Sequence, residues 1–153
     1  MQDGIILIDK PAGLSSFGVV ARIRRVLTQQ AQKKVKVGHT GTLDPFATGL
    51  MILVVGKECK NAEKYSKLDK VYEATFRLGQ TSTTGDPEGE ITIVSDQKPI
   101  QSEVEKALGS FVGEITQRPP IYSAIKVGGQ RAYKLARDGK EVEIPTRQVT
   151  IHS

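Results

Sequence analysis

The sequence predicts an α+β fold with a mixed, mostly antiparallel sheet and flanking helices. Strand-like runs outnumber helix-like runs along the 153 residues, and the two kinds do not alternate as they would around a parallel sheet. Turns rich in glycine or proline separate many of the runs. The sequence has no visible repeat or low-complexity tract, so a single domain is expected.

The first half of the chain is predicted to contain two strands, two helices and a long loop. The strands lie at Gly4–Ile8, which ends in a turn at residues 9–13, and at Leu50–Val55, which is apolar throughout and expected to be fully buried. The loop occupies residues 38–49, and a short helix is expected at Lys57–Lys67. The longer helix is capped by Ser15 or Ser16 and has its apolar positions at Phe17, Val20, Ile23 and Leu27.

The second half is predicted to contain four strands and two helices. Alternation favours a strand at Val71–Leu78, with Tyr72 on its apolar face, followed by a polar loop at residues 79–90. The other strands are predicted at Ile91–Val94, Ile121–Val127 and Arg147–His152. One helix has a capping box of Ser102 and Glu105 and a stripe of Val104, Ala107, Leu108 and Phe111. Gly128-Gly129 forms a hairpin turn or leads into a basic helix at Ala132–Arg137 with Gly139 as its C-cap.

Positive charge is unevenly distributed along the chain, whose net charge is +5 at pH 7. Residues 22–36 carry six cations and no acid, and residues 118–140 carry six cations beside Asp138. Residues 86–105, in contrast, hold six acids and one lysine. Separated fields of this kind attract polyanions, which favours a nucleic-acid partner. The alternative is that the basic segments are solvated helix faces that keep the protein in solution.

Composition disfavours several classes of protein and site. No apolar run approaches the roughly 20 residues that span a bilayer, and the N-terminus lacks the basic region of a signal peptide. The single cysteine, Cys59, has no histidine or second cysteine nearby for a metal or thiol site. We expect Cys59 to be a small, partly buried residue and the protein to be cytoplasmic.

The loop at residues 38–49, GHTGTLDPFATG, is the segment best suited to chemistry. Its glycines let the backbone approach a ligand closely, and the strand that follows can hold it rigidly. It carries one carboxylate, Asp44, and one imidazole, His39. A lone carboxylate can act as a nucleophile, a general base or a stabiliser of a cation. The competing interpretation is that Asp44-Pro45 starts a turn capped by the Asp44 side chain.

Four blocks of sequence resemble motifs of the TruB family of tRNA pseudouridine synthases. GHTGTLDPFATGLM resembles the central motif, and IDKPAGLSS at residues 8–16 resembles the first motif. KVYEA at residues 70–74 is similar to a tyrosine-bearing strand, and RPPIYSAIK at residues 118–126 to a later basic block. The resemblance implies that residues 1–153 are the N-terminal portion of the pseudouridine synthase catalytic domain. A later catalytic motif and a C-terminal RNA-binding domain of the family are absent from the sequence, so the fragment alone is expected to be inactive.

The resemblance implies an isomerase that converts uridine 55 in the T-loop of tRNA to pseudouridine. This reaction breaks the N1–C1′ bond, turns the uracil within the pocket and rejoins it through C5, so neither a cofactor nor a metal is expected. Asp44 takes the catalytic position of the family. The sugar develops oxocarbenium character, which a carboxylate can stabilise or trap. Attack at C1′, attack at C6 and removal of a sugar proton all stay open for Asp44.

The resemblance also implies substrate-binding residues. His39 matches a histidine that fills the space left by the flipped base, and Tyr72 matches a tyrosine that stacks on that base. Lys126 lies in the basic block and is expected to contact phosphate. A backbone-bonded loop imidazole is the alternative for His39, a core tyrosine is the alternative for Tyr72, and Lys10 is expected to be structural. Further expected phosphate contacts are Arg131, Lys134 and Arg137.

The expected partner is the T-arm of tRNA, bound by a monomer without a membrane or a protein partner. The principal alternative is a non-catalytic tRNA-binding or tRNA-folding module with the same basic surface. A guide-RNA-dependent synthase of the dyskerin type is disfavoured by the compact spacing and the lack of lysine-rich tails. A nucleoside hydrolase is disfavoured because the loop has no cluster of acids for a metal.

Overall fold

A computed structural model describes residues 3–120, 126–128, 130–131 and 144–153, with Lys126, Val127 and Arg131 described by backbone alone. The chain divides into two compact units, Met1–Tyr72 and Glu73–Ser153. Helices accompany the strands, and every strand pair among the described residues is antiparallel. The predicted α+β fold class is therefore confirmed.

The first unit is built on a three-stranded antiparallel sheet. Its elements, in order, are β1 (Gly4–Lys10), α1 (Ser16–Ala31), β2 (Val37–His39), β3 (Gly49–Val55), a 3-10 helix (Gly56–Asn61) and α2 (Ala62–Ser66). The strand order is β1-β3-β2, and the pairing of β1 with β3 runs from Gly4 opposite Val55 to Lys10 opposite Gly49. Both strands predicted in this half are confirmed, and each is slightly longer than predicted.

Helix α1 begins where the sequence indicates. The Ser15 hydroxyl accepts a hydrogen bond from the Gly18 N–H at 3.1 Å, which is the N-cap bond of the helix. Phe17 was predicted on the buried stripe but is exposed, and its ring lies 5.7 Å from the Arg24 guanidinium carbon. Val19 is buried instead, because it lies on the same helical face as Ile23, four residues later.

The core of the first unit lies between α1 and one face of the sheet. Its buried members are Val19, Val20, Val35, Val37, Met51, Leu53 and Val55. Alternation along β3 sends Met51, Leu53 and Val55 to this face, and Leu53 is 0% exposed. Leu50 and Ile52 lie on the opposite face, where Leu50 is exposed and Ile52 is partly buried, so the prediction that the whole of Leu50–Val55 is buried was wrong at these two residues.

The short helix predicted at Lys57–Lys67 is found as the 3-10 helix followed by α2. The Tyr65 hydroxyl donates to the Glu58 carboxylate at 2.7 Å, and this bond raises the pKa of Tyr65. The Lys67 ammonium lies 2.7 Å from the Glu63 carboxylate, which lowers the pKa of Glu63. Cys59 is partly buried, as predicted, and its thiol donates to the Val54 carbonyl at 3.3 Å.

The second unit contains small two-stranded sheets and one described helix. Its elements are β4 (Gln80–Ser82), β5 (Ile91–Ile93), α3 (Gln101–Gly109), β6 (Gly113–Gln117), β7 (Lys126–Val127), β8 (Gln130–Arg131) and β9 (Arg147–Ile151). The strand pairs are β4–β5, β6–β9 and β7–β8. The pairing of β7 with β8 confirms the hairpin at Gly128, whose φ of 57° suits glycine. The strands predicted near Ile91 and Arg147 are also confirmed.

Three predictions for the second half need correction. The N-cap of α3 is Ile100, two residues before the predicted cap Ser102, and the Ile100 N–H donates to the Glu103 carboxylate at 2.9 Å. Leu108 and Phe111, on its predicted apolar stripe, are exposed. The polar loop predicted at residues 79–90 contains β4, and β6 was not predicted, since GEITQ has a single large apolar residue.

The strand predicted at Val71–Leu78 is absent, since the structure assigns no strand to any of these described residues. Val71, Phe76 and Leu78 are all exposed. Alternation shows which side chains would share a face, but a strand also needs a neighbour to complete its hydrogen bonds. No described strand pairs with this segment.

The remaining predictions can be compared only with the described part of the chain. The basic helix at Ala132–Arg137, its cap at Gly139 and residues 121–125 of a predicted strand lie outside the described residues. Within the described part of the chain, no helix is both long and apolar enough to cross a membrane. The described residues also hold no group of three or more potential metal ligands.

Candidate active site

The loop that carries Asp44 connects β2 to β3, two neighbouring strands of the first unit. The Thr40 N–H donates to the Ile52 carbonyl at 3.2 Å, which extends the pairing of the two strands into the loop. At the other end, Gly49 has a φ of 120°, a conformation that side-chain-bearing residues rarely adopt. The buried strand β3 therefore supports the loop, as the sequence predicted.

Asp44 lies in a turn, but its side chain does not cap that turn. The Asp44 carbonyl accepts a hydrogen bond from the Ala47 N–H at 3.1 Å, so the predicted turn is present. The carboxylate is exposed and makes no hydrogen bond or ion pair with any described residue. The interpretation of Asp44 as a turn cap is therefore wrong, and its carboxylate is available to a ligand.

The residue before Asp44 is held by a buried serine. Ser16, at the start of α1, is 3% exposed, and its hydroxyl donates to the Leu43 carbonyl at 2.8 Å. The same oxygen accepts from the Leu43 N–H at 2.8 Å. The Leu43 side chain packs against the core of the first unit. Both the backbone and the side chain of Leu43 are thus fixed.

The residue after Asp44 is held by a buried lysine and a backbone amide. Lys10 is 0% exposed, and its ammonium donates to the carbonyls of Pro11 at 3.0 Å, Leu14 at 2.8 Å and Pro45 at 3.3 Å. The Gly13 N–H also donates to the Pro45 carbonyl, at 2.7 Å. A buried ammonium is costly unless its donors are satisfied, and here three donors meet three carbonyls. The structural role expected for Lys10 is confirmed.

Sequence pattern alone did not predict that the first motif, residues 8–16, contacts this loop. Residues 8–16 were interpreted as a strand end, a turn and a helix cap, with no contact to residues 43–45. A helix needs only one N-cap serine, so the presence of both Ser15 and Ser16 was the sequence signal that one of them has another role. The contacts themselves join residues 27 and 35 positions apart, so local spacing could not reveal them.

His39 is the last residue of β2 and lies at the base of the same loop. Its Nδ1 is 2.8 Å from the Gly41 carbonyl oxygen. A carbonyl oxygen accepts and cannot donate, so Nδ1 is the donor in this contact. The backbone-bonded imidazole of the structural alternative is present, and a role toward RNA stays a prediction.

Tyr72 and Lys126 are not brought to the loop by any described contact. Tyr72 is 70% exposed and lies outside any strand, so the core-tyrosine alternative is wrong. Lys126 belongs to β7 in the second unit, where its backbone pairs opposite Arg131. An open groove in the second unit, lined by residues that include Phe76, Leu78 and Ile91, contains none of the candidate residues.

The first unit also presents a basic surface on α1 and the segment after it. Its cations are Arg22, Arg24, Arg25, Lys33, Lys34 and Lys36. All but Arg24 are exposed, and none of the six forms an ion pair with a described residue. Helical spacing places Arg25 on the face of α1 opposite the partly buried Ile23. Unneutralised cations of this kind attract a polyanion.

Comparison with known proteins identifies the family. A sequence model described as TruB family pseudouridylate synthase (N terminal domain) matches residues 24–153. A tRNA pseudouridine synthase B of Caulobacter sp. (strain K31) is 47% identical over 150 residues, covering 98% of this chain and 47% of the relative. Proteins of the same name from Mycobacterium sp. (strain KMS) and Thermobifida fusca (strain YX) are 48% and 45% identical. The match to the Mycobacterium protein covers 97% of this chain and 48% of the relative, and the match to the Thermobifida protein covers 99% and 50%. The chain therefore spans about half the length of the curated relatives it matches.

Proposed function

Because this chain belongs to the TruB family of pseudouridylate synthases, we propose that it carries the catalytic carboxylate of an enzyme that isomerises uridine to pseudouridine in tRNA. The proposed target is uridine 55 in the T-loop. The observation that carries the proposal is the Asp44 carboxylate, which is exposed and unpaired among the described residues while the backbone on both sides of it is fixed. Membership of the family does not by itself require an exposed carboxylate on a fixed backbone.

The proposed chemistry needs one carboxylate and a site that retains the free base. Breaking the N1–C1′ bond leaves electron deficiency on the sugar, and Asp44 can stabilise that charge or form a bond with the substrate. The uracil then rotates and rejoins the sugar through C5. C5 releases its proton and N1 takes one up, so the product is an isomer of uridine. Neither oxidation nor hydrolysis occurs, and the reaction therefore requires no cofactor.

The proposed substrate must be distorted before Asp44 can reach it. Flipping a base out of a folded RNA costs a few kcal/mol, and contacts with the flipped state must compensate for it. We assign His39 to the space that the base vacates and Tyr72 to stacking on the base. The exposure of Tyr72 supports this assignment, because a buried ring could not receive a base. Lys126 is assigned to phosphate contact.

The basic surface on α1 supports an RNA partner independently of the loop. Phosphate contacts position a protein on nucleic acid, and cations without acidic partners are the groups that make them. The proposed enzyme acts on tRNA through the T-arm, as a monomer in the cytoplasm. A tRNA-binding module without catalysis would use the same surface, but it would not need an unpaired carboxylate on a rigid loop.

The test is tritium release from tRNA that contains 5-tritiated uridine, measured with the chain extended to the length of its relatives. Asp44→Asn should abolish release and leave tRNA affinity within a few-fold, because the change removes charge and keeps shape. Asp96→Asn, at an exposed position of the second unit, is the matched control and should release tritium normally. The 153-residue chain alone should bind tRNA weakly and release no tritium.

Three results would count against the proposal. Normal tritium release by Asp44→Asn would refute the assignment of the catalytic carboxylate. Loss of tRNA affinity in that variant would mean that Asp44 maintains the loop. Binding without tritium release by the extended, unmutated chain would favour the non-catalytic module.

A further inference from the structure

The Ser16 hydroxyl makes an unusual pair of contacts. It donates to the carbonyl of Leu43 and accepts from the N–H of the same residue, both at 2.8 Å. A serine hydroxyl has one proton to donate and lone pairs to accept, so this contact uses both of its capacities. The two bonds together fix the orientation of the peptide units on either side of Leu43. The second of those units leads into Asp44.

A second anchor lies one residue beyond Asp44. The Pro45 carbonyl accepts from the Gly13 N–H at 2.7 Å and from the Lys10 ammonium at 3.3 Å. Lys10 ends β1, Gly13 lies in the turn that follows it, and Ser16 begins α1. One short segment therefore holds the backbone on both sides of Asp44.

The carboxylate itself has no such support. The Asp44 side chain makes no hydrogen bond or ion pair with a described residue, so its position depends on the backbone that carries it. From these contacts we propose that Ser16 is a positioning residue for the Asp44 carboxylate. The proposal rests on the function proposed above and identifies a residue outside the catalytic loop on which turnover depends.

The neighbouring serine shows that capping the helix is not the task of Ser16. The Ser15 hydroxyl accepts from the Gly18 N–H at 3.1 Å and provides the cap of α1. Ser16 is almost fully buried and reaches Leu43, 27 residues later in the chain. Helix capping and the contact with the loop thus belong to different serines, so substitution of one serine removes one of these contacts and leaves the other.

The expected effect follows from the sensitivity of catalysis to geometry. Loss of the Ser16 hydroxyl leaves the N–H and the carbonyl of Leu43 without their partner, and the loop must relax to satisfy them. Misplacement of a catalytic group by about 1 Å can cost on the order of a hundred-fold in rate. The proposed phosphate contacts are assigned to other residues, so tRNA affinity should change little. The signature of a positioning role is therefore a lower kcat at nearly constant KM.

The experiment compares Ser16→Ala with Ser15→Ala in the extended chain, at a temperature where both variants are folded. Ser16→Ala should lower kcat about ten- to a hundred-fold with KM for tRNA within about three-fold. Ser15→Ala removes the helix cap and should keep kcat within about two-fold. Ser16→Thr keeps a hydroxyl and should recover part of the lost kcat. Equal losses of kcat in both alanine variants, or a normal kcat in Ser16→Ala, would overturn the proposal.

A second measurement needs no variant and no activity. In the unmutated 153-residue chain, amide hydrogen exchange should be slower at Leu43 than at Thr42, whose N–H makes no hydrogen bond with a described residue. Equal exchange rates at Leu43 and Thr42 would overturn the contact itself.

The variants distinguish failure of this proposal from failure of the proposed function. If Asp44→Asn retains turnover, the proposed function fails. If Asp44→Asn is inactive while Ser16→Ala is normal, only the positioning role fails.

Discussion

Among the described residues, the two units of the chain differ in how much apolar surface they bury. The first unit has a contiguous group of buried side chains between α1 and its sheet. In the described part of the second unit, the buried residues are Pro119 and Ile144. The exposed hydrophobic residues there include Phe76, Leu78, Ile91, Ile93, Val94, Ile100, Leu108, Phe111 and Val112. The loop that carries Asp44 is attached to the unit that has the core.

Two segments that both predict a strand illustrate the difference. Gly4–Ile8 is an apolar run, and Val71–Leu78 alternates between apolar and polar residues. The first segment pairs with β3 along its whole length. The second pairs with no described strand and is exposed. An apolar pattern therefore reports the capacity to form a strand, whereas a partner decides whether the strand forms.

The largest effect expected from this comparison is on stability. Leu53→Ala, at a fully buried position of β3, should cost about 2–5 kcal/mol, because it removes apolar contacts and leaves a cavity. The matched change in the second unit, Ile93→Ala, is at a position 74% exposed and should cost less than about 1 kcal/mol. Urea unfolding followed by circular dichroism, with residue-level hydrogen exchange for each unit, measures both. Similar costs for the two variants would show that Ile93 is buried in solution.

A smaller effect is expected on RNA affinity, and it compares the basic segments of the two units. Reversing the charge of Lys126, Arg131 and Arg137 together should weaken tRNA binding and flatten its salt dependence. The same should hold for Arg22, Arg25 and Lys33 of the first unit. Each phosphate contact contributes about 0.9 to the slope of log K against log salt. The slope measured for each triple variant should therefore be smaller by the contribution of up to about three phosphate contacts. Titrations at several salt concentrations measure the slope, and a segment whose reversal leaves it unchanged is only a solvated surface.

The smallest effect on stability is expected at Tyr72, the last residue of the first unit. Tyr72→Ala should change the free energy of unfolding by no more than about 0.5 kcal/mol, because the side chain is 70% exposed. On the proposed function it should still impair turnover, since base–aromatic stacking is worth about 1–3 kcal/mol. Tyr72→Phe keeps the ring and should retain tRNA binding. A cost of about 3–5 kcal/mol in Tyr72→Ala would restore the core interpretation that its exposure argues against.

Local pattern in the sequence was sufficient for much of the first unit. The serine cap of α1, the two long strands and the turn at Asp44 were all predicted near their observed positions. These features depend on residues within a few positions of one another, through helical spacing, strand alternation and turn chemistry. The motif blocks likewise sufficed to identify the family, since they are read directly from the order of residues.

The tertiary structure decided which of those local options the chain uses. It selected Ser15 as the cap and placed the Ser16 hydroxyl against Leu43, and it left Val71–Leu78 without a partner among the described strands. It also showed that the Asp44 carboxylate does not cap its own turn. Each of these outcomes depends on contacts between residues far apart in the chain or on the absence of such a contact. Periodicity and spacing do not encode those contacts, because hydrogen bonding and burial are settled only when distant segments pack together.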